Sequence, residues 1–309
     1  MSATLWRRPP GNINLDWGTA VAIGNFDGVH LGHQKIIQIT QQLADQHQYT
    51  SAMLTFEPYP QQFFHPEKPV PRLTTLREKI KLTPVELIYA LPFDQTLSQY
   101  SPEFFIEEIL IKKLNAKIIV VGEDFRFGYQ RKGDVKLLQS MPEFKSQIIS
   151  PVMLEGERIS STRVRHALQD GNLELAQKLL GRFYSMTGRV VRGSQRGRQI
   201  GFPTANIALH KRIPPVRGVF AVKVKIDDQS YSAVANIGSR PTVDGTREFL
   251  EVYIFDFDQD IYRKYINIEF IQKIRDEIKF NSLDELKQQI ARDVVAAKGI
   301  LLKRVISRI

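Results

Sequence analysis

Two imidazoles three residues apart, His30 and His33, stand in the glycine-bounded string Gly24-Asn25-Phe26-Asp27-Gly28-Val29-His30-Leu31-Gly32-His33. A histidine ring can donate to phosphate oxygens or ligate a metal, so the pair admits two chemistries. The metal reading is weak, because no third Cys, His or carboxylate stands nearby at ligand spacing. Anion binding fits better. The preceding run Ala20–Ile23 reads as a short buried strand, and Lys35–Ile39 continues into a helix with one apolar face. A helix opening near Val29 would aim its unpaired N–H groups and positive dipole end at an anion. His30 and His33, one turn apart, would share a face of that helix.

A second group of polar residues lies in Arg158-Ile159-Ser160-Ser161-Thr162-Arg163-Val164-Arg165. Ser160 to Thr162 offer N-cap hydroxyls ahead of a helix over Val164–Leu168, and capping alone would account for them. Arg165 lies one turn inside. Its planar fork can grip phosphate at two points.

These residues need elements to hold them. Up to about residue 180, strand-length apolar runs (Ala20–Ile23, Ser51–Phe56, Val85–Ala90, Lys117–Val121 and Gln147–Val152) alternate with helical periodicity near 33–47, 74–82, 101–114 and 163–180. That alternation predicts a parallel sheet with helices on its faces, in which ligands bind beyond the carboxyl ends of the strands. After Gly181 the pattern changes to short runs separated by Gly, Pro and Asp: Gly188–Val191, Val219–Ile226, Ser232–Ile237, Phe249–Phe255 and Ile266–Phe270. They predict an antiparallel barrel, followed by a terminal helix from Ser282 in which Ser282 and Glu285 are spaced as a capping box. The expected domains are 1–183 and 184–309.

At 309 residues the chain is long enough for two cores. Cysteine is absent, which excludes disulfides, zinc-thiolate sites and a thiol nucleophile. No apolar signal core or membrane-length run occurs, so a soluble, cytoplasmic protein is expected, and nothing specifies an oligomer. The net charge of +10 is uneven: residues 184–309 carry 22 Lys and Arg against 14 Asp and Glu, and the rest 21 against 19. A basic half suits nucleic acid or polyphosphate ligands. No RNP-like motif, zinc finger or long basic run supports nucleic acid.

The string from Gly24 to His33 resembles the phosphate-binding signature of the HxGH nucleotidyltransferases, in the spelling of the bacterial bifunctional riboflavin kinase/FAD synthetases. The segment Ile159–Arg165 resembles that family's Ile-Ser-Ser-Thr-x-x-Arg motif, which closes over the triphosphate. The resemblance implies a Rossmann-like nucleotidyltransferase domain that joins FMN to the α-phosphorus of ATP and releases pyrophosphate. His30, His33 and Arg165 would be catalytic, with Arg158 and Arg163 beside Arg165 on the pyrophosphate. Gly24, Phe26, Asp27, Gly32, Ser161, Thr162 and Arg163 would contact ATP. Thr55-Phe56-Glu57-Pro58-Tyr59-Pro60 and Val121-Gly122-Glu123-Asp124-Phe125-Arg126-Phe127-Gly128 resemble the family's flavin loops, implying flavin contacts from Phe56, Pro58, Asp124 and Phe125.

The second half carries its own set. Within Gly188–Asn206, the glycines Gly193 and Gly201 and the segment Gly201-Phe202-Pro203-Thr204-Ala205-Asn206 resemble the ATP loop of riboflavin kinases. There Thr204 and Asn206 would hold magnesium and phosphates with hard oxygens. A kinase acting on an alcohol needs a proton acceptor, and Glu251 in Phe249-Leu250-Glu251-Val252-Tyr253 fits that place. Asn236-Ile237-Gly238-Ser239-Arg240-Pro241-Thr242 and Arg275-Asp276-Glu277-Ile278-Lys279-Phe280 resemble two more kinase loops, with Arg275 and Glu277 near the flavin. One departure concerns backbone: Arg263 stands where the family has glycine, which puts the turn's positive φ in doubt.

The expected ligands are ATP with magnesium, riboflavin, FMN and FAD, with neither nucleic acid nor membrane as a partner. Two other readings remain open: a nucleotidyltransferase for another acceptor with a basic RNA-binding or regulatory barrel, and a non-catalytic flavin sensor.

Overall fold

The computed structural model describes residues 4–6, 16–193, 201–209, 212–242 and 245–306. By contact, the chain divides into two units: Met1–Val70 with Thr74–Ser161, and Pro71–Leu73 with Thr162–Ile309.

The first unit is built on a parallel sheet of β1 (Thr4–Trp6), β2 (Thr19–Ile23), β3 (Thr50–Glu57), β4 (Leu87–Pro92), β5 (Ala116–Gly122) and β6 (Lys145–Ile149). The strands lie in the order β1-β4-β3-β2-β5-β6. From β2 the chain winds outward through β3 and β4, then returns to place β5 on the other side. The direction therefore switches between β2 and β5, where a crevice opens beyond their carboxyl ends. All five residues of β2 are buried, as a strand covered on both faces requires. Helices α1 (Leu31–His47), α2 (Pro60–Phe64), α3 (Leu76–Leu82), α4 (Gln95–Ser98), α5 (Pro102–Phe105) and α6 (Val135–Ser140) complete the layers. The predicted helix over 101–114 is split: after α5 the chain widens into π-helical turns over Ile106–Lys113. A short hairpin, β7 (Met153–Leu154) with β8 (Glu157–Arg158), follows the sheet.

In the second unit the helical stretch expected over 163–180 is two helices, α7 (Ser161–Gln169), whose first residue belongs to the first unit, and α8 (Leu173–Leu180). The break has a local cause. Gly171 sits at φ +73° and Asn172 caps α8, its Oδ1 accepting from Leu175 N at 3.0 Å. The barrel is closed and antiparallel, in the order β10-β13-β12-β11-β14-β9. Its strands are β9 (Ser185–Val191), β10 (Ala205–Ile207), β11 (Gly218–Ile226), β12 (Gln229–Thr242), β13 (Gly245–Ile254) and β14 (Tyr265–Arg275). Leu250 and Val252 are buried on one face of β13 while Glu251 between them is half-buried on the other, the alternation a barrel wall demands. The terminal helix α9 (Leu283–Ile306) packs Ala297 and Leu301 against Val219, Ala221 and Val234 of the wall. Its start carries one half of the expected capping box: Glu285 N donates to Ser282 Oγ at 3.2 Å, while the Glu285 carboxylate accepts from Asn281 N at 2.9 Å, one residue before the N-cap. Arg263, at the turn where the resemblance leads to glycine, does adopt the left-handed conformation, at φ +69°, and its N–H donates to Val190 O at 3.0 Å.

Candidate functional site

The turn after β2 leads into α1 through two non-glycine residues in the left-handed region, Phe26 at φ +49° and Val29 at φ +42°. Such positions are costly for a β-branched residue and persist only where surrounding bonds over-determine them. Those bonds come from Asp27, which is almost fully buried. Its Oδ1 accepts from Thr74 N at 3.0 Å, Thr74 Oγ1 at 3.3 Å and Tyr59 Oη at 3.0 Å. Gly28 N donates to Thr74 Oγ1 at 2.9 Å, and Ser161 Oγ to the Asp27 carbonyl at 2.8 Å. The Asp27 carboxylate thus holds the turn from below.

His30 is the N-cap of α1, its Nδ1 accepting from His33 N at 3.3 Å. Nδ1 is therefore an acceptor, and in the neutral ring the proton resides on Nε2. The two rings stack with centroids 3.6 Å apart and 17° between planes. Phe26 meets His33 edge-on at 5.2 Å. A Cβ on Gly32 would approach the His30 ring at 3.2 Å, so glycine lets the ring lie back over the helix start.

These groups open into a cavity of about 850 Å³. Gly24, Asn25, Phe26, His30, Gly32 and His33 form one part of its wall. Elsewhere Phe56, Phe64, Phe93, Phe105, Phe125 and Phe127 bring ring faces and edges to it, a lining suited to a flat aromatic ligand. Phe125 and Phe127 stack 5.5 Å apart. Arg126, Arg131 and Arg158 also line it, as do Asp124, Ser160 and Ser161. Arg158 NH2 donates to Asp124 Oδ1 at 2.8 Å. That hydrogen bond holds the Asp124 carboxyl below the usual carboxylate range and raises the Arg158 guanidinium. Asp27 and Pro58 are not in the lining; Asp27 is engaged by Thr74 and Tyr59. Thr162, Arg163 and Arg165 belong to the second unit, where Arg165 Nε donates to Pro71 O at 2.8 Å.

In the second unit the register of three adjacent strands sets Asn206 opposite Glu251 and Glu251 opposite Asn236. Residues directly opposite share a face with Cβ atoms about 5 Å apart, so the three form one polar row. Asn206 lies against Gly193, where an added Cβ would fall 2.3 Å from its amide. Two residues along β12, on the same face as Asn236, an added Cβ on Gly238 would meet the Glu277 carboxylate. Tyr253, two residues beyond Glu251, meets Phe202 edge-on at 5.4 Å, which puts the Gly201–Thr204 segment over this face. The Oδ1 of Asn236 is buried and accepts no hydrogen bond among the described residues. Asn236 belongs to a loop noted in the sequence, but only the strand register reveals its place beside Glu251.

Arg275 does something the sequence does not announce. Its Nε and NH2 grip Asp293 of α9 at 2.9 and 2.7 Å, and NH1 donates to Asp276 O at 2.8 Å. The guanidinium fastens the terminal helix to β14. Residues 194–200 of the glycine-rich segment, and the side chains of Arg240, Pro241 and Thr242, lie outside the described residues.

Two family models match the chain, FAD synthetase over residues 13–163 and riboflavin kinase over residues 180–301. Among curated relatives, the bifunctional riboflavin kinase/FMN adenylyltransferase of Haemophilus influenzae is 43% identical over 289 residues, covering 91% of this chain and 94% of the relative. The protein of that name from Escherichia coli K12 is 44% identical over 288 residues, covering 91% and 92%. A crystal structure titled as a macrolide-efflux protein from Streptococcus pneumoniae superposes with a TM-score of 0.79 at 34% identity, covering 96% of this chain and 99% of that one. No described helix is long and apolar enough to cross a membrane. The phosphate-type turn with its aromatic cavity and the polar row on the barrel each fall within a matched range, and the chain belongs to the bifunctional riboflavin kinase/FMN adenylyltransferase family.

Proposed function

We infer that the protein makes FMN from riboflavin and ATP, and FAD from FMN and ATP, with a separate site for each step. The observation that carries this reading is the pairing of two site geometries with two matched family ranges in one chain.

In FAD synthesis an FMN phosphate oxygen attacks the α-phosphorus of ATP as the bond to pyrophosphate breaks. Positioning and charge neutralisation carry such a reaction. His30 through its Nε2 proton, the His33 ring and the α1 amides donate to phosphate oxygens, while the phenylalanines receive the isoalloxazine ring. Gly24, Phe26 and Gly32 bring backbone to the nucleotide. Ser161, Thr162, Arg163 and Arg165 take the triphosphate, with Arg158 on the departing pyrophosphate. Asp27 acts by holding the turn.

In FMN synthesis Glu251 accepts the proton of the riboflavin hydroxyl as its oxygen attacks the γ-phosphorus and ADP leaves. Thr204, Asn206 and Gly193 hold the phosphates, and Glu277 stands at the flavin side. The donor set Thr204 and Asn206, with the buried Asn236 oxygen in the same row, fits a hard divalent cation such as magnesium. That ion, when bound, would neutralise charge on the transferring phosphoryl group.

We place the functional boundary between residues 183 and 184, supported by the kinase match beginning at 180 and the first barrel strand at Ser185. A cytoplasmic setting follows from the need for ATP and flavin. Nucleic acid has no part in this reading.

The test is to incubate the chain with riboflavin, ATP and magnesium, and separately with FMN, and to resolve the flavins by chromatography. Both products from riboflavin are expected. Glu251→Ala should abolish FMN formation yet leave FAD formation from supplied FMN; loss of both in a folded variant would refute separate sites.

A further inference from the structure

Lys79 is fully buried, with none of its side chain reaching solvent. Taking an ammonium out of water costs several kcal/mol, and an apolar side chain of similar size is often as stable or more so. Its contacts show what the charge is used for. Nζ donates to the carbonyl of Asn25 at 2.6 Å and to Thr55 Oγ1 at 2.8 Å, and lies 4.8 Å from the centre of the Tyr59 ring. Thr55 Oγ1 also donates to Asn25 O at 3.2 Å. Two donors, one of them charged, thus converge on one carbonyl of the turn that leads to His30.

The Asn25–Phe26 peptide is trans, and in a trans unit the C=O and N–H point in opposite directions. Fixing the Asn25 carbonyl toward Lys79 therefore sends the Phe26 N–H the other way. Among the described residues no group accepts from that N–H, although Phe26 is itself almost fully buried. Asn25 and Phe26 both line the cavity that His30 and His33 share. A cation on the carbonyl draws electron density from the amide and makes its N–H a stronger donor. The segment Thr74–Lys79 thus supports the turn twice, Thr74 under Asp27 and Gly28, Lys79 under Asn25.

We propose that Lys79 is a positioning residue of the adenylyltransferase, which orients and polarises the Asn25–Phe26 peptide so that the Phe26 N–H donates to a phosphate oxygen of ATP. Lys79 acts through the peptide and touches no substrate. The proposal rests on the reading of the His30 cavity as the ATP site of FAD synthesis.

The experiment has two parts, both on the full chain. In wild type carrying 15N label, ATP should move the Phe26 amide proton downfield, as a new charge-assisted hydrogen bond does; an unmoved Phe26 resonance, with others in the turn shifting, overturns the proposal outright. In Lys79→Met, kcat/KM for ATP in FAD formation should fall about ten- to a hundredfold, the scale of losing part of an oxyanion donor. The loss should appear with the Phe26 shift abolished and riboflavin kinase activity unchanged. Lys79→Arg, which keeps the charge, should recover part of it. Reduced FAD formation with the Phe26 shift intact would make Lys79 merely structural, and unchanged ATP kinetics would remove its role. If wild type made no FAD from FMN, the underlying reading of the cavity would fail instead.

Discussion

The ion pair between Asp124 and Arg158 shows how one contact can set the electrostatics of a cavity rim without supporting the fold. Both side chains are largely exposed, at 60% and 46%. Pairs of that kind contribute about 0.2–1 kcal/mol. The sign of the pH dependence follows from Asp124, whose folded carboxyl titrates below its unfolded value because Arg158 donates to it. Its contribution is present above the unfolded value of about 3.9 and is lost as pH falls through the depressed folded value. Around neutrality both groups stay charged. Asp124→Asn should therefore lower stability by less than about 1 kcal/mol in urea denaturation, and leave the shape of the pH–rate profile of FAD synthesis unchanged near neutral pH. A new titration step appearing there would show that the pair is not what keeps the rim charged. This contact also marks a limit of the sequence. Asp124 and Arg158 are each legible as members of family loops, yet 34 positions separate them and their pairing follows only from the fold. Asp27 is similar, since its place in the signature suggests ligand contact while its buried oxygen is held by Tyr59 and Thr74.

At the level of elements, α9 is attached to the barrel by an apolar seam and by Arg275 gripping Asp293 through two nitrogens. Asp293 is nearly buried, so removing either partner strands a charge. Loss of one member of a buried pair costs about 3–5 kcal/mol. Asp293→Ala should accordingly lower the urea concentration at which kinase activity disappears, and shift the loss of adenylylation less; equal shifts would show that the pair supports the whole chain. Arg275→Lys should behave like a loss, because an ammonium cannot reproduce the two-point grip. The elements are legible where periodicity is long: β2, β3, β5, α1 and the barrel strands from β11 to β14 fall where the apolar runs predict, while β4 and β6 overlap their runs but are offset along the chain, β4 toward its C-terminal side and β6 toward its N-terminal side. Short pieces were invisible. β1 and β10 have three residues each, too few to show alternation, yet β10 joins β9 to β13 and closes the barrel. It also brings Asn206 opposite Glu251. No local pattern encodes register between strands 45 positions apart, so the row Asn206-Glu251-Asn236 was legible as residues and not as an arrangement.

For the whole molecule, the consequence of carrying both steps in one chain depends on whether FMN leaves between them. Each cradle is built from residues of its own range: the cavity from Ile23 to Ser161, the polar row from Asn206, Asn236 and Glu251. A chain with His30→Asn should keep kinase activity and stop at FMN, and a chain with Glu251→Ala should adenylate only FMN supplied to it. Mixed in one tube with riboflavin and ATP, the two variants should produce FAD after a lag, because FMN released by the first is substrate for the second. The lag should shorten as the Glu251→Ala chain is increased, since its capture of free FMN then becomes faster. Accumulation of FMN without FAD in the mixture, while Glu251→Ala alone still converts added FMN, would mean that the intermediate does not escape the chain that makes it.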